Sequence, residues 1–391
     1  MINKKCYLAF VMLPMLSFSE STMAFGNDIF VSDRQLEYVR DNLTSEPWKS
    51  AYERALKDNL AKKNYEPTPW LTVECGPYSS PNYGCDDESR DAAAAYTQAI
   101  LWEYTGDEVY ADNVLKILNA WANTLTGGHT NHNGPLQAAW NAILFSRAAS
   151  MVRDDYHKWS STDLEKVSNM FATQYLPDLE RMFSNYYACF NKNWHASAIE
   201  AMMNIAVFNN DKVQFESAVA KWRSLVPSYI YLSTDGARPK DAYWCVRSDA
   251  QTVAYWNYPE NLVDGLTQES CRDFEHTAYG LASIINTAET ARLHGLDLYH
   301  DDATQAEQRI TKAMELHSAY QTEGGTKLCK KYDGYKLNTN GTFEVGFNHY
   351  SVRQGMALPY TEQFLANTRP TKGKFHYLWE TLTHGLVGDI K

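Results

Sequence analysis

The chain has 391 residues and a formal net charge of −11. An acidic balance of this size, with no basic tract, argues against a nucleic-acid binder, which normally presents a basic face. It still permits an anionic ligand, provided Arg, Lys and His gather in one cleft. The 11 Trp and 26 Tyr suit stacking on sugar rings, although most aromatics in a folded chain simply fill the core.

In chain order, residues 1–24 read as a secretory signal. Lys4 and Lys5 give a positive start, the run Tyr7 to Leu16 is apolar but too short to span a bilayer, and Ser21 to Ala24 offers small residues for cleavage. The remaining chain, 25–391, carries −12 and reads as one soluble domain, exported to the periplasm or secreted. It keeps six of the seven cysteines: Cys75, Cys85, Cys189, Cys245, Cys271 and Cys329. An oxidising compartment allows these to pair. Cys75 and Cys85, flanking a loop of Gly, Pro, Ser and Asn, form the expected pair; the other connectivities stay open. No spacing suits zinc.

A series of capped helices follows. Residues 87–105 start behind acidic residues and stop at Gly106, and 107–125 stop before Gly127. Residues 135–155 open with Pro135. Residues 161–183 carry Leu164, Val167, Met170 and Phe171 at helical spacing. Further helices are expected over 193–208, 211–230, 271–294, 302–320 and 344–367. Alternating strand patterns are nearly absent. Many helices of 15 to 24 residues on short loops imply stacked helical hairpins. A closed ring of them, an all-α α/α toroid, fits a single large domain. The irregular stretches 231–270 and 321–343 are long enough to expect a function.

Four polar constellations are candidates for chemistry. Arg272, His276 and Tyr279 fall at i, i+4 and i+7, on one face of a helix closed by Gly295, with Asp273 and Glu275 beside them. Asn191, Asn193, Trp194 and His195 open another helix. An Asn there is often only a cap, but an amide and an imidazole at a helix mouth can also meet an anion. The run Gly128 to Asn133, before Gln137, is either a turn or a sugar-binding edge. The run Asn348, His349, Tyr350 and Arg353 gathers an amide, an imidazole, a phenol and a guanidinium.

Several of these segments together resemble the alginate lyase superfamily of polysaccharide lyases. They are Asp91 to Trp102, Thr105 to Asp107, Tyr110-Ala111, Ile117 to Ala122, Asn193-Trp194, Arg272-Asp273 with His276, and Gly295 to Tyr299. Glu344 to Tyr350 with Arg353, Arg369-Pro370 and Trp379 to His384 complete the set. The likeness spans roughly residues 30–385, in matching order. It departs at Lys192, which separates two asparagines where one branch of the superfamily has a consecutive Asn-Asn-His. The resemblance implies an α/α toroid and β-elimination of a polyuronate: alginate, mannuronate-rich, or glucuronan.

That chemistry sets its own requirements. Neutralising the uronate carboxylate acidifies the C5 proton; a base removes it and an acid protonates O4 of the leaving sugar. In mannuronate and glucuronate both groups lie on one side, so a single phenol can serve twice. A phenol near pKa 10 must first be brought well down, which a guanidinium about 4 Å away can do. On this reading Tyr350 is the catalytic group, with His276 next and His195 a third candidate. Asn193, Arg272, His349, Arg353, Asn348, Trp194 and Gln137 bind substrate. The scheme asks for no metal or cofactor. Asn193, His195, Arg272, His276, His349, Tyr350 and Arg353 are expected to converge on one cavity.

Two rivals stand beside it. An exported glycoside hydrolase on a helical toroid would need two carboxylates flanking the bond, and Asp241, Asp273, Glu275 and Glu344 are available. A non-catalytic periplasmic glycan-binding protein would use Trp and Tyr as platforms without turnover.

Overall fold

The helices that position the site are short of polar faces. In the computed structural model, which describes residues 26–153, 156–241, 245–323, 328–330 and 343–388, four helices pack side by side as an inner layer. These are α3 (Cys85–Thr105), α5 (Gly134–Arg153), α8 (Lys192–Phe208) and α11 (Phe274–Leu293). Helices that are apolar all round belong inside a fold. In α8 every residue except Trp194 is buried, and in α11 everything from Thr277 to Ala291 is.

In chain order, α1 (Asp33–Asp41) and α2 (Trp48–Leu56) precede the inner layer and meet the short C-terminal helix α15 (Glu380–His384). Outer helices alternate with the inner ones: α4 (Glu108–Thr124), α6 (Ser161–Met170) and α7 (Leu176–Arg181), α9 (Lys212–Tyr229) and α12 (Ala306–Glu323). A short α10 (Asp249–Tyr255), α13 (Glu344–Phe347) and α14 (Pro359–Thr368) complete the set. The result is the expected all-α toroid. Among the described residues, the only named strands are three short ones: β1 (Val73–Cys75), antiparallel to β2 (Asn82–Tyr83) and parallel to β3 (His129–Thr130).

The caps explain the boundaries. Gly106 ends α3 in the left-handed region at φ 65°, and Asp107 opens α4 by accepting from the Val109 N–H. The expected helix over 344–367 is broken. A π turn occupies Asn348–Arg353, Gly355 takes φ 74°, and α14 restarts at Pro359. A residue before proline resists helix, so one helix becomes two. The expected 161–183 helix is likewise interrupted by a π turn at Phe171–Tyr175.

Disulfides join Cys75 to Cys85, as expected, and also Cys189 to Cys245 and Cys271 to Cys329. Among the described residues no helix is long and apolar enough to cross a membrane. The expected signal at 1–24 and most of the 321–343 stretch lie outside the described residues.

Candidate active site

Three inner helices begin at one cleft. The starts of α5, α8 and α11 surround a cavity of about 480 Å³ lined by Pro77, Tyr78, His132, Asn133, Leu136, Trp140, Cys189, Phe190, Asn191, Trp194, Arg272 and His276. Each helix start carries the positive end of a dipole. Three of them together favour an anion.

The first turn of α11 builds the most reactive group. Asp273 is the N-cap and accepts the backbone N–H of His276 at 2.8 Å. The same carboxylate meets Nδ1 of His276 at 2.7 and 2.8 Å. The cap carboxylate thus holds both the backbone and the ring of the third helical residue. A proton on Nδ1 is thereby tied to Asp273, which leaves Nε2 with its lone pair. Burial pushes the Asp273 carboxyl up, but the bond and charge of His276 and the charge of Arg272 outweigh this and hold it below its ordinary range. About 29% of the His276 side chain remains exposed, so the ring is open to a ligand.

Arg272 lies beside it, with 29% of its side chain exposed. Its Nη1 donates to Glu269 at 2.9 Å. Tyr279 lies behind His276, ring centroids 5.5 Å apart, and its hydroxyl donates to Glu275 at 2.7 Å, which Lys374 also holds. Burial first, then the neighbouring Tyr377 and Glu275, push that phenol far up. Trp194 and His132 face one another at 5.9 Å across the cleft wall. At the rim, Tyr78 is 98% exposed on the loop that the Cys75–Cys85 disulfide closes.

Several expected site residues are elsewhere. Tyr350 is fully buried, and its hydroxyl donates to the Tyr299 carbonyl at 3.0 Å. Burial, then the charges of Glu307 and Asp297, raise that phenol well above its ordinary value, the reverse of what a base needs. His349 stacks on Tyr299 at 3.6 Å, and burial pushes its imidazole down to about 3. Arg353 is spent on the buried Glu289, at 3.0 and 3.1 Å. Asn348 is buried beside them. All four gather near the far end of α11, so the expected convergence of seven residues on one cavity does not occur.

His195 also turns away. It lines a separate cavity of about 60 Å³ with Phe183, Lys192, Lys221 and Leu225, and burial and the Lys192 charge lower it to about 3. Its neighbour Trp194, about 100° round the helix, faces the cleft instead. Asn193 is buried under the floor, its amide on Glu269 at 2.7 Å. Gln137 donates to the Cys85 carbonyl at 2.7 Å and joins a buried network around Glu88. Of the expected residues, the cleft therefore holds Arg272, His276 and Trp194. Sequence reasoning did not foresee Tyr78 or Trp140, because an exposed loop tyrosine and a helix tryptophan carry no periodic signal. It marked the loop at His132 only as a turn or a sugar edge.

Comparison with known proteins bears on the family and the fold. A family model described as alginate lyase matches residues 42–327, well over half of the chain. The chain belongs to the alginate lyase family. It is a polysaccharide lyase, a carbon–oxygen lyase acting on glycans. No curated protein sequence matches this lyase. Among solved structures, it resembles alginate lyase A1-III from Sphingomonas species A1 at 18% identity and TM-score 0.61, over 94% of this chain and 98% of that one. A variant of A1-III complexed with a tetrasaccharide gives 17% identity and TM-score 0.63, over 95% and 98%. An alginate lyase from Bacteroides ovatus gives 14% and 0.56, over 92% and 99%. At these identities the likeness shows the shared fold.

Proposed function

We propose that this lyase cleaves a polyuronate of the alginate type, rich in mannuronate, by β-elimination in the cleft at the start of α11. The observation that carries the reading is the Asp273–His276 pair beside Arg272, at the meeting point of three helix starts. Arg272 pairs with the uronate carboxylate and makes the C5 proton more acidic. Nε2 of His276 takes that proton, and Asp273 stabilises the imidazolium that forms. The C5–H electrons form the C4=C5 double bond as the C4–O4 bond breaks. The imidazolium then returns its proton to O4 on the same face, the geometry that mannuronate offers. Imidazole is the side chain suited by its ordinary titration range to act both ways near neutrality. Trp194, Trp140 and Tyr78 supply apolar faces for sugar rings.

The site's charge supports an anionic polymer as partner, and an α8 start crowded with aromatics supports sugar stacking. Three disulfides support an oxidising compartment, periplasmic or extracellular. The test is digestion of polymannuronate, polyguluronate and glucuronan, followed by ultraviolet absorbance of the unsaturated product. Polymannuronate is expected to give the fastest rise. A preference for polyguluronate, where the proton and O4 lie on opposite faces, would require a second group as acid and overturn the single-imidazole scheme.

A further inference from the structure

Glu269 has no exposed surface, yet its two oxygens meet three donors from two separate parts of the site. Oε1 accepts from the Asn193 side chain at 2.7 Å and from Arg272 Nη1 at 2.9 Å. Oε2 accepts from the backbone N–H of Asn193 at 3.0 Å. The N-cap of α8, Asn191, makes no capping bond of its own. Its neighbours are served from across the fold: the Lys192 N–H donates to Gln268 at 3.1 Å, and the Asn193 N–H to Glu269. One buried carboxylate therefore ties the start of α8, which carries Trp194, to the guanidinium beside His276.

We propose that Glu269 is a positioning residue that fixes Arg272 at the angle from which it meets the substrate carboxylate, an inference that rests on the elimination reading above. An arginine with 29% of its side chain exposed would otherwise sample many rotamers, and binding would have to freeze them. With Nη1 anchored, the rest of the fork is aimed before substrate arrives. Preorganisation of this kind lowers the cost of reaching the transition state. The carboxylate also keeps Arg272 beside Asp273, whose Oδ2 is 4.0 Å from its Nε.

Glu269→Gln separates this role from simple helix capping. The amide matches the carboxylate in volume but has one accepting oxygen for three donors, so Arg272 or the α8 start loses its partner. On polymannuronate, kcat/KM should fall by about 10- to 100-fold, the scale of a bond to a charged group. Arg272→Ala should fall at least as far, and the double variant should be no worse than Arg272→Ala alone, because Glu269 acts through Arg272. Glu269→Asp keeps the charge on a shorter arm and should recover part of the loss. It is also the variant to read in the same cycle should Glu269→Gln not fold. Losses that multiply in the double variant would overturn the proposal. So would a fall in thermal midpoint with wild-type kcat/KM in the folded fraction, which would leave Glu269 a helix cap only. A wild-type enzyme that forms no unsaturated product from any polyuronate would instead overturn the elimination reading itself.

Discussion

The two ends of α11 carry the same kinds of side chain and do opposite things. At its start, Arg272, Asp273 and His276 stand at the edge of a cleft with roughly a third of each side chain in solvent. Near its far end, about 20 Å away along the helix by rise per residue, the buried Glu289 is gripped by Arg353 and by the partly exposed Arg292, beside the buried Tyr299, Tyr350 and His349. The difference teaches that residue type alone does not make a site. What matters is whether a group's bonding capacity is already filled from within. At the start, His276 has one nitrogen committed and one facing outward. At the far end, the Tyr350 hydroxyl and the Arg353 fork are both committed to internal partners.

The largest test of this contrast is His276→Asn. It removes the proposed base and should cost about 10²–10⁴ in kcat, the usual scale for general base catalysis, with an unchanged circular dichroism spectrum. Normal turnover would remove the chemistry from the start of α11. Arg353→Met should act on the other end and on a different observable. It leaves Glu289 buried with one guanidinium fewer, so denaturant unfolding should show a loss of about 3 kcal/mol, the low end for a broken buried pair, since Arg292 remains. Turnover of the folded fraction should stay normal.

Acid sharpens the same comparison. Burial pushes the Glu289 carboxyl up, but Arg353 and Arg292 dominate and hold it well below its ordinary value of 4.5. A depressed carboxylate contributes stability that is fully present above its unfolded pKa. That stability is lost as pH falls from about 4.5 toward the folded value. Melting temperatures of the wild type should therefore decline below about pH 4.5, and less steeply in Arg353→Met. An identical decline in both would mean that the pair is not what holds Glu289. The smallest effect expected is that of Tyr350→Phe. It deletes one buried hydrogen bond to the Tyr299 carbonyl, worth about 1 kcal/mol, and should leave kcat unchanged.

Much of the fold was legible from capping and spacing. Gly106 and Gly295 mark helix ends where the structure has them, and the Cys75–Cys85 loop closes as read. Arg272 and His276 do share the cleft, but not through helical spacing: α11 begins at Phe274 behind its cap Asp273, so Arg272 precedes the helix. The internal positions of His195 and Tyr350 were not legible in the sequence. The run at 348–353 is as rich in polar groups as a cleft, and only the fold reveals that Glu289, 64 positions earlier in the chain, fills Arg353. The role of Glu269 was hidden for the same reason, because its partners at Asn193 lie 76 residues away.

The most direct measurement is the ultraviolet time course of unsaturated uronate from polymannuronate by the wild type, His276→Asn and Tyr350→Phe, at equal concentrations of folded protein. The account predicts a rapid rise for the wild type, the same rise for Tyr350→Phe and almost none for His276→Asn. A silent Tyr350→Phe beside an active His276→Asn would place the chemistry at the other end of the helix and contradict it.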